Sequence, residues 1–255
     1  MRWVWHRIAG LPTTWPKAAW RLRGYGYVPL AGHRIRFHDI DRWPYDEWAL
    51  AARRRRWEPR TLARFAELVR AGDTVIDVGA HFGIYALLAA ELVGPSGRVV
   101  AFEPDPMSRA QLERNVRGAC AGTVEVRPEA VADRPGRARL RAEALGTGDS
   151  TVAAGGDGID VQAVTLAGFC AERGLAPDVL KVDVEGGEAA VLAGASQALL
   201  AGLRAAIVEV HELKLAACGI HAAKWLNAVA KGFASLERLD ERERGNYTVA
   251  LLNGV

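Results

Sequence analysis

The stretch Asp77-Val78-Gly79-Ala80-His81-Phe82-Gly83 places an acid near the end of an apolar run and small residues at 79, 80 and 83. Small side chains there let backbone amides approach a ligand without obstruction by Cβ. Ile84 to Val93 then reads as a helix, and the positive end of a helix attracts a carboxylate. A dinucleotide does not suit this loop. Counting G-x-G-x-x-G forward from Gly79 puts His81 and Ile84 at the other glycine positions; counting back from Gly83 puts Val78 and Ala80 there. Asp77 would also repel a pyrophosphate. A ligand with an ammonium for Asp77 and a carboxylate for the helix end fits better. S-adenosylmethionine offers both, and its sulfonium adds positive charge. Glu103 ends the next apolar run twenty positions beyond Gly83, where an acid reaches ribose hydroxyls in this topology.

A second group of chemical residues lies further on. In Val179-Leu180-Lys181-Val182-Asp183-Val184-Glu185-Gly186-Gly187-Glu188, alternation along a strand puts Lys181, Asp183 and Glu185 on one face. Glu188 opens the following helix. Ile207-Val208-Glu209-Val210-His211-Glu212 adds Glu209, His211 and Glu212 to the same rim. Acids beside a methyl donor suit methyl transfer, an in-line displacement in which an alcohol must lose its proton as it attacks. His211 is the first candidate base, because unperturbed imidazole titrates near neutrality. Asp183 and Glu185 come next. Asp183, Glu185 and His211 also offer the donor atoms for a divalent metal that would bind and acidify the acceptor.

These residues need a scaffold that gathers strand ends. From Asp73 onward apolar strands and helices alternate, the pattern of a mostly parallel sheet covered on both faces. Strands are expected over Thr74 to Val78, Arg98 to Glu103, Thr123 to Val131, Val161 to Thr165, Val179 to Val184 and Ala205 to Val210. Helices are expected from Pro59 to Gly72, from Ile84 to Val93, from Asp105-Pro106 through Val116, and through Arg173. One helix runs through Leu200 with Val191, Leu192, Ala195 and Leu199 on a face, and the last buries Ala222, Trp225, Leu226 and Val229. Leu236 to Asp240 and Tyr247 to Leu252 close the chain as an antiparallel pair. Between Asp133 and Asp160 the rhythm breaks into a Gly-, Arg- and Asp-rich stretch. A hairpin is expected near Arg137 to Arg141, and a loop through Gly146 to Gly158.

Residues 1–56 form a Trp-rich, basic extension with no acid before Asp39, ahead of a domain over 57–255. His33 to His38 alternates like a strand, Tyr45 to Trp57 reads as a helix, and Arg53 to Arg56 forms a solvated face. Three roles suit this extension: packing on the sheet's flank, a lid with aromatic platforms for a sugar or macrocycle, and peripheral attachment to an anionic membrane. A net charge of +3 on 255 residues gives no case for nucleic acid. The fourth strand also lacks an Asn/Asp-Pro-Pro-aromatic signature and carries acids that repel phosphates. Cys120, Cys170 and Cys218 are widely spaced and read as buried thiols of a reducing compartment. No apolar run reaches the length of a membrane span, and the start lacks the apolar core of a secretory signal, so the expected location is cytoplasmic.

Taken in order, several segments resemble the FkbM family of methyltransferases over Trp57 to His211. They are Trp57-Glu58-Pro59, Gly72 to Ala80, Phe102-Glu103-Pro104, Leu180 to Gly186 with Glu188, and Glu209-Val210-His211. His81 stands where the family commonly has Asn, and Gly187 where Ala is frequent. The resemblance implies a seven-stranded class I methyltransferase sheet with its last strand antiparallel. It also implies a cofactor pocket faced by Glu58 and the Glu103-Pro104 segment, and most often O-methylation of a hydroxyl on a sugar or secondary metabolite. Nitrogen in peptide side chains is the alternative acceptor, and a catalytically silent binding protein is the non-enzyme reading. The acceptor is thus a small molecule, a glycan or a peptide.

Overall fold

The computed structural model describes residues 25–38, 58–120, 122–142, 150–153, 157–241 and 246–253. The helix expected over Tyr45 to Trp57, the tryptophans of the extension and the turn at Gly245 lie outside the described residues.

The apolar runs that follow Asp73 become strands of one sheet. They are β3 (Thr74–Val78), β4 (Arg98–Phe102), β5 (Val124–Arg127), β10 (Val179–Val182), β11 (Ala205–Val210), β12 (Ser235–Glu241) and β13 (Tyr247–Leu252). Their order is β12-β13-β11-β10-β3-β4-β5. The five from β11 to β5 are parallel, and only β13 runs against its neighbours. Val75, Ile76, Val179, Leu180 and Val182 are all fully buried, as expected for central strands covered on both faces. The covering helices are α1 (Pro59–Leu68), α2 (Ile84–Val93), α3 (Pro106–Ala119), α4 (Leu166–Arg173), α5 (Glu188–Ala193), α6 (Gln197–Gly202), α7 (Glu212–Ala217) and α8 (Ala222–Ala230). Asp105 caps α3 by accepting from the amides of Met107 and Ser108, and Pro106 takes the position where no N–H is needed. Among the described residues no helix is long and apolar enough to cross a membrane.

The described part of the extension is a hairpin, β1 (Tyr25–Leu30) with β2 (His33–His38). Its inward residues Val28, Leu30, Ile35 and Phe37 belong to the core that contains Leu88 and Leu112. Asn115 of α3 accepts the His38 amide at 2.7 Å, and Gln111 donates to the His38 carbonyl at 2.7 Å.

Several elements differ from the expectation, each for a local reason. The strand expected over Thr123 to Val131 is two, β5 and β6 (Ala130–Val131), in different sheets; Pro128 between them has no N–H for a ladder. The broken stretch holds real strands, β7 (Gly136–Ala142) and β8 (Ser150–Ala153), which join β6 and β9 (Ile159–Val164) in a four-stranded sheet. In β7, buried Ala138 and Leu140 alternate with arginines, a period hidden by the glycines around it. The helix expected through Leu200 breaks into α5 and α6, because Ser196 caps a new start by accepting from the Leu199 amide. The α1 helix stops at Leu68, short of Gly72, where the Asp73 carboxylate takes the Arg70 amide. Trp225 and Val229 are only partly buried. Of the three thiols only Cys170 is buried, and Cys218 is exposed.

Candidate active site

Sheet register gathers the polar residues on one face, at the carboxyl ends of the central strands. Asp77 pairs with Lys181, and Asp183 lies two residues further along. On the next strands Glu209 pairs with Thr248. Alternation puts all five on the side packed by α2, whose Tyr85 presents its ring 4.6 Å from the Lys181 Nζ.

The cofactor loop is welded to β4 by its own backbone. The amides of Gly79 and Ala80 both donate to the Phe102 carbonyl, at 3.0 and 2.9 Å. They therefore tie strands together rather than point at a ligand, unlike the arrangement expected from their small side chains. The N–H groups in the first turn of α2 have no acceptor within the helix and could take a carboxylate. Gly79 has φ 82°, and a Cβ on it would lie 1.8 Å from the Asp183 carbonyl oxygen. Only glycine allows that approach. At Gly83 (φ 94°) a Cβ would come 2.6 Å from Leu112, so this glycine serves the packing of α3 on α2.

Glu103 accepts the His81 amide at 2.7 Å through one oxygen and the Asp105 amide at 2.8 Å through the other. Each oxygen keeps a further lone pair for a hydroxyl. Burial raises its pKa to about 7 against the pull of those two amides. Pro104 contributes its carbonyl, which with that of Glu103 accepts from Arg109. Asp77 is buried and its oxygens make no well-aligned hydrogen bond, although the Ala86 amide of α2 is close enough to favour its charged form. Burial pushes its pKa to about 6, with Lys181 pulling it down and Asp183 pushing it up. A buried carboxylate left unsatisfied is costly. An arriving ammonium would relieve that cost.

The acceptor side is denser. Glu188 is fully buried, and one of its oxygens takes both the Gly186 amide at 2.9 Å and the His211 Nδ1–H at 2.7 Å. The other ring nitrogen, Nε2, meets Glu185 at 3.1 Å, Glu209 at 3.6 Å and Asp183 at 3.9 Å. Burial alone would lower the His211 pKa, but Glu185, Glu188 and Asp183 outweigh it and lift the value to about 11. The expectation of an imidazole titrating near neutrality is thus corrected: with acids at both nitrogens, it rests as a cation. Asp183 is held below the usual carboxylate range; Lys181 at 3.1 Å and His211 override its burial. Burial and the charge of Asp183 raise Glu209 to about 8. Lys181 is raised, because Asp183, Asp77 and Glu209 outweigh its own burial. Glu185 also pairs with Lys214 at 2.6 Å.

Asp183, Glu209 and His211 form the tight histidine–carboxylate group, each with a donor atom within 4.8 Å of the others'. The sequence placed Glu185 in that trio, with Glu209 only on the rim. Glu58 is buried at the start of α1 and accepts the Tyr85 hydroxyl. Tyr85 is the site residue that sequence reasoning missed. It sits in the apolar run Ile84 to Leu88, where only its hydroxyl marked it as more than core. Outside glycine, positive φ occurs in the described residues at Ala31, Glu58, His81 and Glu185. Three of the four belong to this site, consistent with strain held where function needs it.

A seven-stranded sheet with one antiparallel strand, a glycine turn after its central strand and an acid ending the next define a class I S-adenosylmethionine-dependent methyltransferase. The family model described as the methyltransferase FkbM domain matches residues 77–233, so the chain belongs to the FkbM methyltransferase family. It is 34% identical over 188 residues to the 31-O-demethyl-FK506 methyltransferase FkbM of Streptomyces tacrolimicus, covering 60% of this chain and 71% of that protein. Among solved structures, the FkbM methyltransferase from Methylobacillus flagellatus KT aligns at TM-score 0.51 and 13% identity. That alignment covers 81% of this chain and 54% of the other, so this chain spans about half of that protein's length. The METTL16 methyltransferase domain aligns at TM-score 0.52 and 14% identity, over 96% and 93% of the two chains. These two likenesses concern the fold alone.

Proposed function

We propose that the protein transfers the methyl of S-adenosylmethionine to a hydroxyl of a sugar or secondary metabolite, with Asp183 accepting the hydroxyl proton. The observation that carries this reading is the contact between Gly79 and the Asp183 carbonyl, 1.8 Å from where a Cβ would stand. It puts the acceptor acids directly against the cofactor loop, as an in-line transfer at roughly 3–3.5 Å demands. Asp183 is the accessible member of the group, its side chain 24% exposed against 2% for Glu209 and His211. It is ionised at neutral pH, whereas His211 already carries its proton. In this reading the alcohol O–H proton passes to Asp183 as the oxygen attacks the methyl, and the C–S bond breaks to leave S-adenosylhomocysteine. Asp77 and the first turn of α2 hold the amino-acid end of the cofactor, and Glu103 holds its ribose. The Streptomyces relative, named for a 31-O-demethyl substrate, supports an oxygen acceptor.

The test is transfer of labelled methyl to hydroxylated acceptors. Asp183→Asn should lower kcat about 10²–10⁴-fold. His211→Gln removes a positive charge beside Asp183, which raises the Asp183 pKa and moves the acid limb of the kcat profile to higher pH. Loss of that limb altogether in His211→Gln, with Asp183→Asn active, would return the base to His211. The surplus of acids also suits a protonated amine, the second reading; mass analysis of where the label sits separates the two.

A further inference from the structure

Around the ends of β10 and β11 four carboxyl groups crowd about one imidazole. Asp183, Glu185, Glu188 and Glu209 face only Lys181 and Lys214 as permanent cations, and Lys181 also serves Asp77 across the strand pair. We propose that Asp183, Glu209 and the Nε2 of His211 bind a divalent cation of the manganese or magnesium class. The proposal rests on the methyltransferase reading above and supplies the cofactor of its acceptor half.

Three observations carry it. The first is spacing. Nε2 lies 3.6 Å from Glu209 and 3.9 Å from Asp183. Two donors each about 2.1–2.2 Å from one ion stand about 3.0 Å apart at a right angle and about 3.5 Å apart at a tetrahedral angle. At the right angles of an octahedral ion, shifts of about 0.6–0.9 Å close these side chains on it. The second is orientation. The fully buried Glu188 takes the Nδ1–H of His211 and leaves Nε2 turned toward the acids. A carboxylate behind a ligating histidine fixes its tautomer and ring plane in just this way. The third is independent of the cluster's own hydrogen bonds. Thr248 is 1% exposed and its hydroxyl has no partner, yet it stands directly opposite Glu209 on the same face. A buried hydroxyl without a partner is rare, and a water on the ion would satisfy it. Two carboxylates with one imidazole favour manganese or magnesium over soft metals. As the ion binds, the Nε2 proton leaves to solvent and the nitrogen's lone pair takes its place. The ion's remaining positions would then accept the hydroxyl oxygen of the substrate.

The test is titration of the full chain with Mn2+, read as loss of the electron paramagnetic resonance signal of the free aqua ion. The wild type should take up one ion per chain. Glu209→Gln should weaken uptake more than tenfold and Glu188→Gln by about 10–100-fold, while the surface variant Asp160→Asn binds as the wild type does. Retained S-adenosylhomocysteine binding shows that each variant is folded; where Glu209→Gln loses it, Asp183→Asn takes its place. No uptake by the wild type at millimolar Mn2+, or unchanged uptake in both Glu209→Gln and Asp183→Asn, overturns the site. Methyl transfer that persists in chelator without Mn2+ uptake removes the ion and keeps the methyltransferase reading. Uptake without transfer to any hydroxyl does the reverse.

Discussion

At the ends of β3 and β4, backbone groups carry the construction and an acid waits alone; at the ends of β10 and β11, side chains are engaged with one another. Gly79, Ala80 and His81 donate to β4 and to Glu103, while neither oxygen of Asp77 makes a well-aligned hydrogen bond. Across the Gly79–Asp183 contact, His211 alone meets four carboxylates. A rigid frame with one unmet charge suits a ligand of constant shape, the methyl donor. A set of mutually paired charges can exchange partners when an acceptor or an ion arrives. The proposed cofactor half is therefore preorganised, and the proposed acceptor half is held together by side-chain pairs that could rearrange.

The comparison breaks most severely at the residue both halves share. Gly79→Ala drives a Cβ into the Asp183 carbonyl and should cost about 3 kcal/mol or more, read from denaturant unfolding. Asp77→Asn should act oppositely on the ligand-free protein. It removes a buried charge whose desolvation outweighs its partners, so the unfolding free energy at pH 8 should rise by about 1–2 kcal/mol.

The acids also set a pH dependence. Asp77, Glu103 and Glu209 titrate at about 6, 7 and 8 in the fold, above free carboxyls, so the folded state binds their protons more tightly than the unfolded chain does. Their contribution to stability is full below about pH 4 and is lost as pH rises through the folded values. If the ammonium of S-adenosylhomocysteine pairs with ionised Asp77 as proposed, this ligand should raise Tm more at pH 8 than at pH 5. Scanning calorimetry with and without ligand measures this difference. The smallest effect belongs to Lys214→Met. Its partner pair is partly exposed, so stability should change by less than about 1 kcal/mol.

Most of the cofactor half was legible in the sequence because its signals are local. The acid, the glycines and Ile84 to Val93 lie in one stretch, and α2 and β3 fall where the apolar periods placed them. Glu103 followed from strand spacing. The acceptor half depends on register between strands far apart in sequence. Asp183 and His211 were read from their strand ends, but nothing local says that Glu209 closes the tight group with them, or that Thr248 stands opposite. Nor does the sequence show that Glu188 and Glu185 bracket the imidazole, which changes its protonation. Tyr85 was hidden by its apolar neighbours. The small sheet of β6 to β9 was obscured by glycine and arginine around strands whose burial pattern only the fold reveals.

The proposed role of Asp77 in holding the cofactor's ammonium is tested directly by isothermal calorimetry with S-adenosylhomocysteine. The wild type should bind, and Asp77→Asn should bind about 10–150-fold more weakly, the loss of one charged hydrogen bond. No binding by the wild type at millimolar ligand, or equal affinity in Asp77→Asn, would contradict it.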